Sequence, residues 1–375
     1  MQLQLDEMLA KLEQYVNLPS GSWDRDDVNA FNAQVQKDFE GLGMTVERHD
    51  GGEIGDTLVC RYGKGPNRIM LMGHMDTVFP HYEAWKFRLE GNRAYGPGTM
   101  DMKAGILVMY YALREVLPKL PEDAQIVCVL NPDEEIGSGT SRQYMLENVR
   151  DAVAAISFEP MRPGGIVVSQ RKGVISFGIT CTGQRGHAGA AYLTNASAIQ
   201  QLCSVVNKLY TMRDDERQVS VNVGTIQGGV AENIIAGEAG VRAEIRYYEP
   251  AMYEELVARL KAICDEPGLK GTTTTLELGP SHPPFKANER CRKLLGVVQA
   301  QAARQGRTIE AIASGGASDV AFASIAGAPA IDCMGLIGEG AHTKEEFADV
   351  TSFIPNVELA VNVITELLAH PECVK

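Results

Sequence analysis

Three uninterrupted apolar runs constrain this chain more than any other feature: RIMLMG (68–73), QIVCVL (125–130) and AVAAIS (152–157). A strand with one wet face alternates polar and apolar residues, so a run without alternation has to be covered on both faces. Helical stretches separate the runs, one at 101–117 stopped by Pro118 and one at 139–149. Strands alternating with helices predict a mostly parallel α/β sheet flanked by helices. Ahead of it, Leu3, Leu5, Met8, Leu9, Leu12 and Val16 mark one face of a first helix. A second helix runs from Asp24 to Leu42, ending at Gly43, and strands follow at 44–50 and 56–62.

The pattern changes near residue 174. A long amphipathic strand (174–184) is followed by a helix (195–212), two strands (218–229 and 237–249), a helix (251–265) and a last strand (272–279). That order is the ferredoxin-like split motif. The first pattern then resumes, with a helix at 288–304, an apolar strand around APAIDCM (328–334) and a C-terminal helix. The expected organisation is a catalytic domain of residues 1–173 and 286–375 carrying an inserted α+β lid and dimerisation domain, 174–285. No repeat or low-complexity segment interrupts it.

Chemistry gathers where the strands end, which is where open α/β sheets place their ligand crevice. GHMDTV follows the first run, and residues two apart in extended chain face the same way, so Asp76 can orient His74 through its second ring nitrogen. DEEIG follows the second run. Its acids complement a helix dipole in the plainest reading, yet the adjacent carboxylates of Glu134 and Glu135 diverge, so one can hold a metal and the other a water. Glu159 ends the third run before Pro160, a costly position for an unpaired carboxylate. Asp101 in GPGTMDMKAG stands at a helix start, where a lone Asp is usually an N-cap. A phosphate loop is excluded there, because no Gly-Lys-Ser/Thr ending follows; a carboxylate bridging two cations fits better. His342 lies in the Gly-rich GEGAHTKEEF after the fourth apolar strand. Imidazole and carboxylate without thiolate is a donor set for catalytic zinc, with cobalt or manganese as substitutes.

Composition narrows the classes further. The net charge of −13 leaves no basic surplus for a nucleic-acid backbone. No apolar run approaches the roughly 20 residues that span a bilayer, and the acidic start MQLQLDEMLAKLEQYV is not a signal peptide. The eight cysteines form no CxxC pair and sit mostly in apolar runs, as unpaired thiols do in a reducing compartment. A cytoplasmic protein is expected, without nucleic-acid or membrane partners. A nucleotide-binding oxidoreductase would need GxGxxG after its first strand, and there is none.

On these motifs the chain resembles the co-catalytic di-zinc peptidase and deacylase family, which includes glutamate carboxypeptidase, acetylornithine deacetylase, succinyl-diaminopimelate desuccinylase and tripeptidase T. The resemblance covers essentially the whole length, and the 24-residue interval from Glu135 to Glu159 matches glutamate-carboxypeptidase-like members most closely. It implies two Zn2+, with His74 and Glu159 on one, Glu135 and His342 on the other, and Asp101 bridging. It implies Glu134 as general base, Asp76 as orienter of His74 and a cis peptide after Asp101. His187 in GQRGHAG would reach across a homodimer, formed through the lid, to hold the oxyanion. Asn233 and Arg246 would bind the substrate carboxylate. One departure stands out: GPSHPPFKAN carries Ser281 and His282 where glutamate carboxypeptidases are Arg-rich. The implied activity is hydrolysis of an amide bond beside a free carboxylate in small peptides or acyl-amino acids, of carboxypeptidase type. The alternatives are an N-acyl-amino-acid deacylase and, outside catalysis, a binding protein on the same scaffold.

Overall fold

The computed structural model describes residues 3–80 and 85–375. The chain divides into two compact units: unit 1 comprises residues 1–170, 285–314 and 318–375, and unit 2 comprises 171–284 with Gly315–Ala317. The allegiance of that three-residue segment leaves no trace in the sequence pattern.

Unit 1 is built on a six-stranded sheet. Its four adjacent parallel strands are Ala124–Asn131, Asn67–His74, Ala154–Ser157 and Ala330–Ile331. The edge differs from a purely parallel design, because Thr57–Gly63 pairs antiparallel with Ala124–Asn131 and Thr45–His49 antiparallel with Thr57–Gly63. Within the outer pair a short connection, residues 50–56, forces this, because it is too short for a crossover helix. The apolar runs are covered on both faces. Ile69, Leu71, Ile126 and Cys128 enter one buried cluster, while Met70, Met72, Val127 and Val129 enter another on the opposite face. The period of two thus feeds two cores from one strand.

Helices Leu5–Val16, Ala104–Val116 and Phe353–Ala369 contribute to the larger cluster. The stretch Val350–Ala369 is long and apolar enough to cross a bilayer, which the sequence expectation overlooked. Its Val357, Leu359, Ala360, Val363, Ile364 and Leu367 are spent on the protein core, so it is a core helix. The Asp24 carboxylate accepts from the Asp27 N–H and starts helix Arg25–Gly41, and Gly43 leaves it at φ +84°. All eight cysteines are unpaired.

Unit 2 is a four-stranded antiparallel sheet in the order Ser220–Gly228, Glu238–Tyr247, Gly173–Thr182, Thr273–His282. Ile175, Phe177, Ile179 and Cys181 pack with Leu202, Val205 and Leu209 of helix Ala198–Tyr210 and with Leu256 and Leu260 of helix Met252–Asp265. The outer strand Thr273–His282 shifts register between Leu278 and Ser281, so Ser281 and His282 resume pairing opposite Ile175 and Val174.

Candidate metal centre

His74 is the last residue of the central strand and is almost fully buried. Glu134 and Glu135 open a short 3-10 turn beyond Asn131, and Glu159 lies two residues past Ser157. Asp101 does not cap a helix. It sits in a π-type turn, Thr99–Lys103, with extended dihedrals (φ −114°, ψ 90°), and helix Ala104–Val116 begins only after it. The Asp101–Met102 peptide is cis. His342 does not follow the fourth parallel strand directly. It hangs from a turn after Gly338–Glu339, a strand of a separate four-stranded antiparallel sheet, and adopts φ +64°.

These segments converge on one place. His74, Asp101 and Glu159 form one group whose ligand atoms lie within 4.8 Å of one another; Asp101, Glu135 and His342 form a second. His74 Nε2 is 3.1 Å from Asp101 Oδ1 and 3.5 Å from Glu159 Oε1. His342 Nε2 is 3.2 Å from Glu135 Oε2 and 3.5 Å from Asp101 Oδ2. Asp101 therefore gives one oxygen to each group. The two differ in access: the His74 side chain is 1% exposed, that of His342 55%.

The local electrostatics are those of a cation site. Burial alone would push the His74 pKa down, but Asp101, Asp76 and Glu159 hold it well above the ordinary value. His342 is raised to about 10 by its contacts with Asp101 and Glu135. Burial pushes the Asp101 carboxyl up, yet the two imidazoles more than offset this and hold it down. Glu135 is raised by burial and by Asp101 in spite of His342, and Glu134 is raised strongly by burial and by Glu159. Carboxylates outnumber imidazoles here, and such a concentration of negative charge in low dielectric calls for positive charge. Two three-donor groups of nitrogen and oxygen sharing one carboxylate fit a pair of divalent ions of the zinc type.

Asp76 does more than the sequence suggests. The Nδ1 of His74 is 3.0 Å from the Asp76 backbone carbonyl and 3.4 Å from its carboxylate. That carboxylate mainly accepts the backbone N–H groups of Glu134 and Glu135, each at 3.2 Å, and the Ser22 hydroxyl at 2.7 Å. Ser22 and Glu346 were missed in the sequence. Glu346 is completely buried and accepts N–H groups from Gly98, Met100 and Asp101. Burial and the nearby Asp101 raise its carboxyl pKa to about 8 against the pull of those N–H groups.

The remaining candidates belong to unit 2. His187 is exposed and pairs with Ile234 in a two-residue ladder, and the Ala188 N–H donates to the Asn233 carbonyl. His187 and Asn233 are thus brought together. The Gly189 N–H donates to His187 Nδ1 at 3.1 Å, which assigns the proton of the neutral ring to Nε2 and makes that atom a donor. Arg246 holds Glu244 with both arms of its fork, at 2.7 and 3.1 Å, and donates to the Gly315 carbonyl at 2.8 Å.

A doubly covered sheet whose strand ends meet two loop-borne donors in one imidazole and carboxylate cluster is the framework of a metal-dependent enzyme. The chain belongs to peptidase family M20/M25/M40, whose model matches residues 70–369. It is 30% identical to carboxypeptidase G2 of Pseudomonas sp. (strain RS-16), over 96% of this chain and 89% of that one. It is 28% identical to a succinyl-diaminopimelate desuccinylase of Alkalilimnicola ehrlichii, over 81% and 85%. The fold matches an M20 family metallo-carboxypeptidase from Sulfolobus solfataricus at a TM-score of 0.78 and 16% identity, covering 98% of this chain and all of that one. This protein is accordingly an enzyme of the metallopeptidase and amidohydrolase type.

Proposed function

We propose that this protein is a two-zinc hydrolase that cleaves an amide bond beside a free carboxylate, releasing a C-terminal residue in the manner of a glutamate carboxypeptidase. The observation that carries the reading is the sharing of Asp101 between two three-donor groups, and the likeness to carboxypeptidase G2 supports the choice of bond. His74, Asp101 and Glu159 would hold one ion, and Asp101, Glu135 and His342 the other. Bound there, the pair would polarise the scissile carbonyl and ease deprotonation of a water.

Glu134 takes the water's proton and passes it to the departing amine. Its raised carboxyl suits a group that must accept a proton and then give it up. Asp76 fixes the Glu134 backbone and so aims the carboxylate. His187 Nε2–H donates to the developing oxyanion, supplied by the second subunit of a homodimer formed through unit 2. Arg246 and Asn233 bind the substrate carboxylate, with Arg246 exchanging Glu244 for it. Ser281–His282, in place of the Arg-rich pattern, and the desuccinylase relative favour N-acyl-amino acids as the second substrate class.

The test is elemental analysis of the metals combined with a hydrolysis panel of dipeptides, C-terminal glutamates and N-acyl-amino acids. About two ions per chain are expected, with turnover confined to substrates bearing a free carboxylate. Glu134→Gln is expected to keep its metal and lose roughly 10²–10⁴-fold in kcat, the usual reach of general acid–base catalysis. Substantial turnover in that variant removes Glu134 as the base.

A further inference from the structure

The geometry points to Glu346 as a positioning residue that staples two ligand-bearing segments together and thereby sets the affinity of the Asp101–Glu135–His342 group. This rests on the two-ion reading above. Asp101 needs an external anchor, because its turn is not helical and the following helix starts without it. Glu346 supplies that anchor: one oxygen accepts from Met100 at 2.7 Å and Asp101 at 3.1 Å, and the other accepts from Gly98 at 3.2 Å. Three N–H groups on one buried carboxylate hold the chain that leads into the bridging residue, Asp101's own N–H included.

The same side chain belongs to the His342 loop. The Glu346 N–H donates to the Thr343 carbonyl at 3.3 Å, and the Thr343 N–H donates to Gly340 at 3.1 Å, so loop 340–346 is tied turn by turn. Beyond Glu346, strand Phe347–Asp349 pairs with both Arg93–Tyr95 and Gly338–Glu339. Two of the three donors in the second group, Asp101 and His342, thus depend on Glu346 for their relative placement. In the first group only Asp101 does; His74 ends a central strand and Glu159 follows one, both built into the main sheet. Loss of Glu346 therefore weakens one ion site more than the other, which a general loss of stability would not do.

The test titrates chelator-treated wild type, Glu346→Gln and Glu346→Ala with Zn2+ by calorimetry, with circular dichroism to confirm folding. Wild type is expected to bind two ions per chain. Glu346→Ala is expected to weaken the second ion by about 10–100-fold, the usual effect of removing a residue that supports ligands, with the first changed only a few-fold. Glu346→Gln should fall between, since its amide oxygen still accepts from Met100 and Asp101. Equal weakening at both sites, or no change, overturns the proposal. If Glu346→Ala does not fold, the same comparison in Glu346→Gln decides. A wild-type protein that binds fewer than two ions overturns the two-ion reading itself and this role with it, and that failure shows before any variant is compared.

Discussion

Asp76→Ala should unfold the catalytic rim as well as misalign it. The Asp76 side chain is buried, and its carboxylate receives the Glu134 and Glu135 N–H groups and the Ser22 hydroxyl. A hydrogen bond to a charged acceptor contributes about 1.5–3 kcal/mol, so three give a ceiling of about 5–9 kcal/mol. Water entering the space left by the carboxylate recovers part of that, and Ser22 can rotate toward the Thr77 carbonyl, 3.1 Å away. The expected loss is about 3–5 kcal/mol, the range for breaking a buried charged network. Asp76→Asn keeps the shape and one acceptor oxygen, and should lose about half as much. The assay is urea unfolding followed by circular dichroism with chelator present, so that metal binding does not add to the native state. Activity is measured in parallel with metal restored, where displacement of both Glu134 and Glu135 should lower kcat by about 10²-fold or more. An Asp76→Ala protein within about 0.5 kcal/mol of wild type, the scale of an ordinary surface substitution, refutes this account of the rim.

Zinc uptake should release protons. The His342 pKa of about 10 in the metal-free protein lies above its unfolded value, so its ion pair stabilises the fold below the unfolded pKa and that contribution fades as pH rises through 10. A metal must displace the same proton, so affinity should climb from pH 6.5 toward 10; calorimetry in buffers of different ionisation enthalpy reads the release, and a pH-independent affinity contradicts it. Gly98→Ala should be damaging, because Gly98 has φ +68° and a Cβ there would come within 2.4 Å of Thr77 Cγ2. Backbone strain and overpacking together cost about 2–4 kcal/mol, measurable as a fall in the urea midpoint; an unchanged midpoint would show that the turn relaxes freely.

The sequence by itself determined the parallel core of the sheet and pointed to most of the candidate ligands. A strand buried on both faces has to be apolar at every position, so RIMLMG and QIVCVL announce themselves without knowledge of their neighbours. His74, Glu135 and Glu159 are legible because each follows such a strand within a few residues. Tertiary structure decided what depends on distant partners. The antiparallel edge follows from pairing between strands, and the two imidazoles that Asp101 faces, which suit the bridging carboxylate expected there, come from segments far from it in the chain. Arg246 already holds Glu244, which the spacing to Asn233 does not foretell. Glu345 and Glu346 are adjacent and chemically identical, yet one is exposed and the other completely buried under three N–H groups. Those donors lie some 245 residues away in the chain, and a partner that remote leaves no mark on the local pattern around the carboxylate it holds.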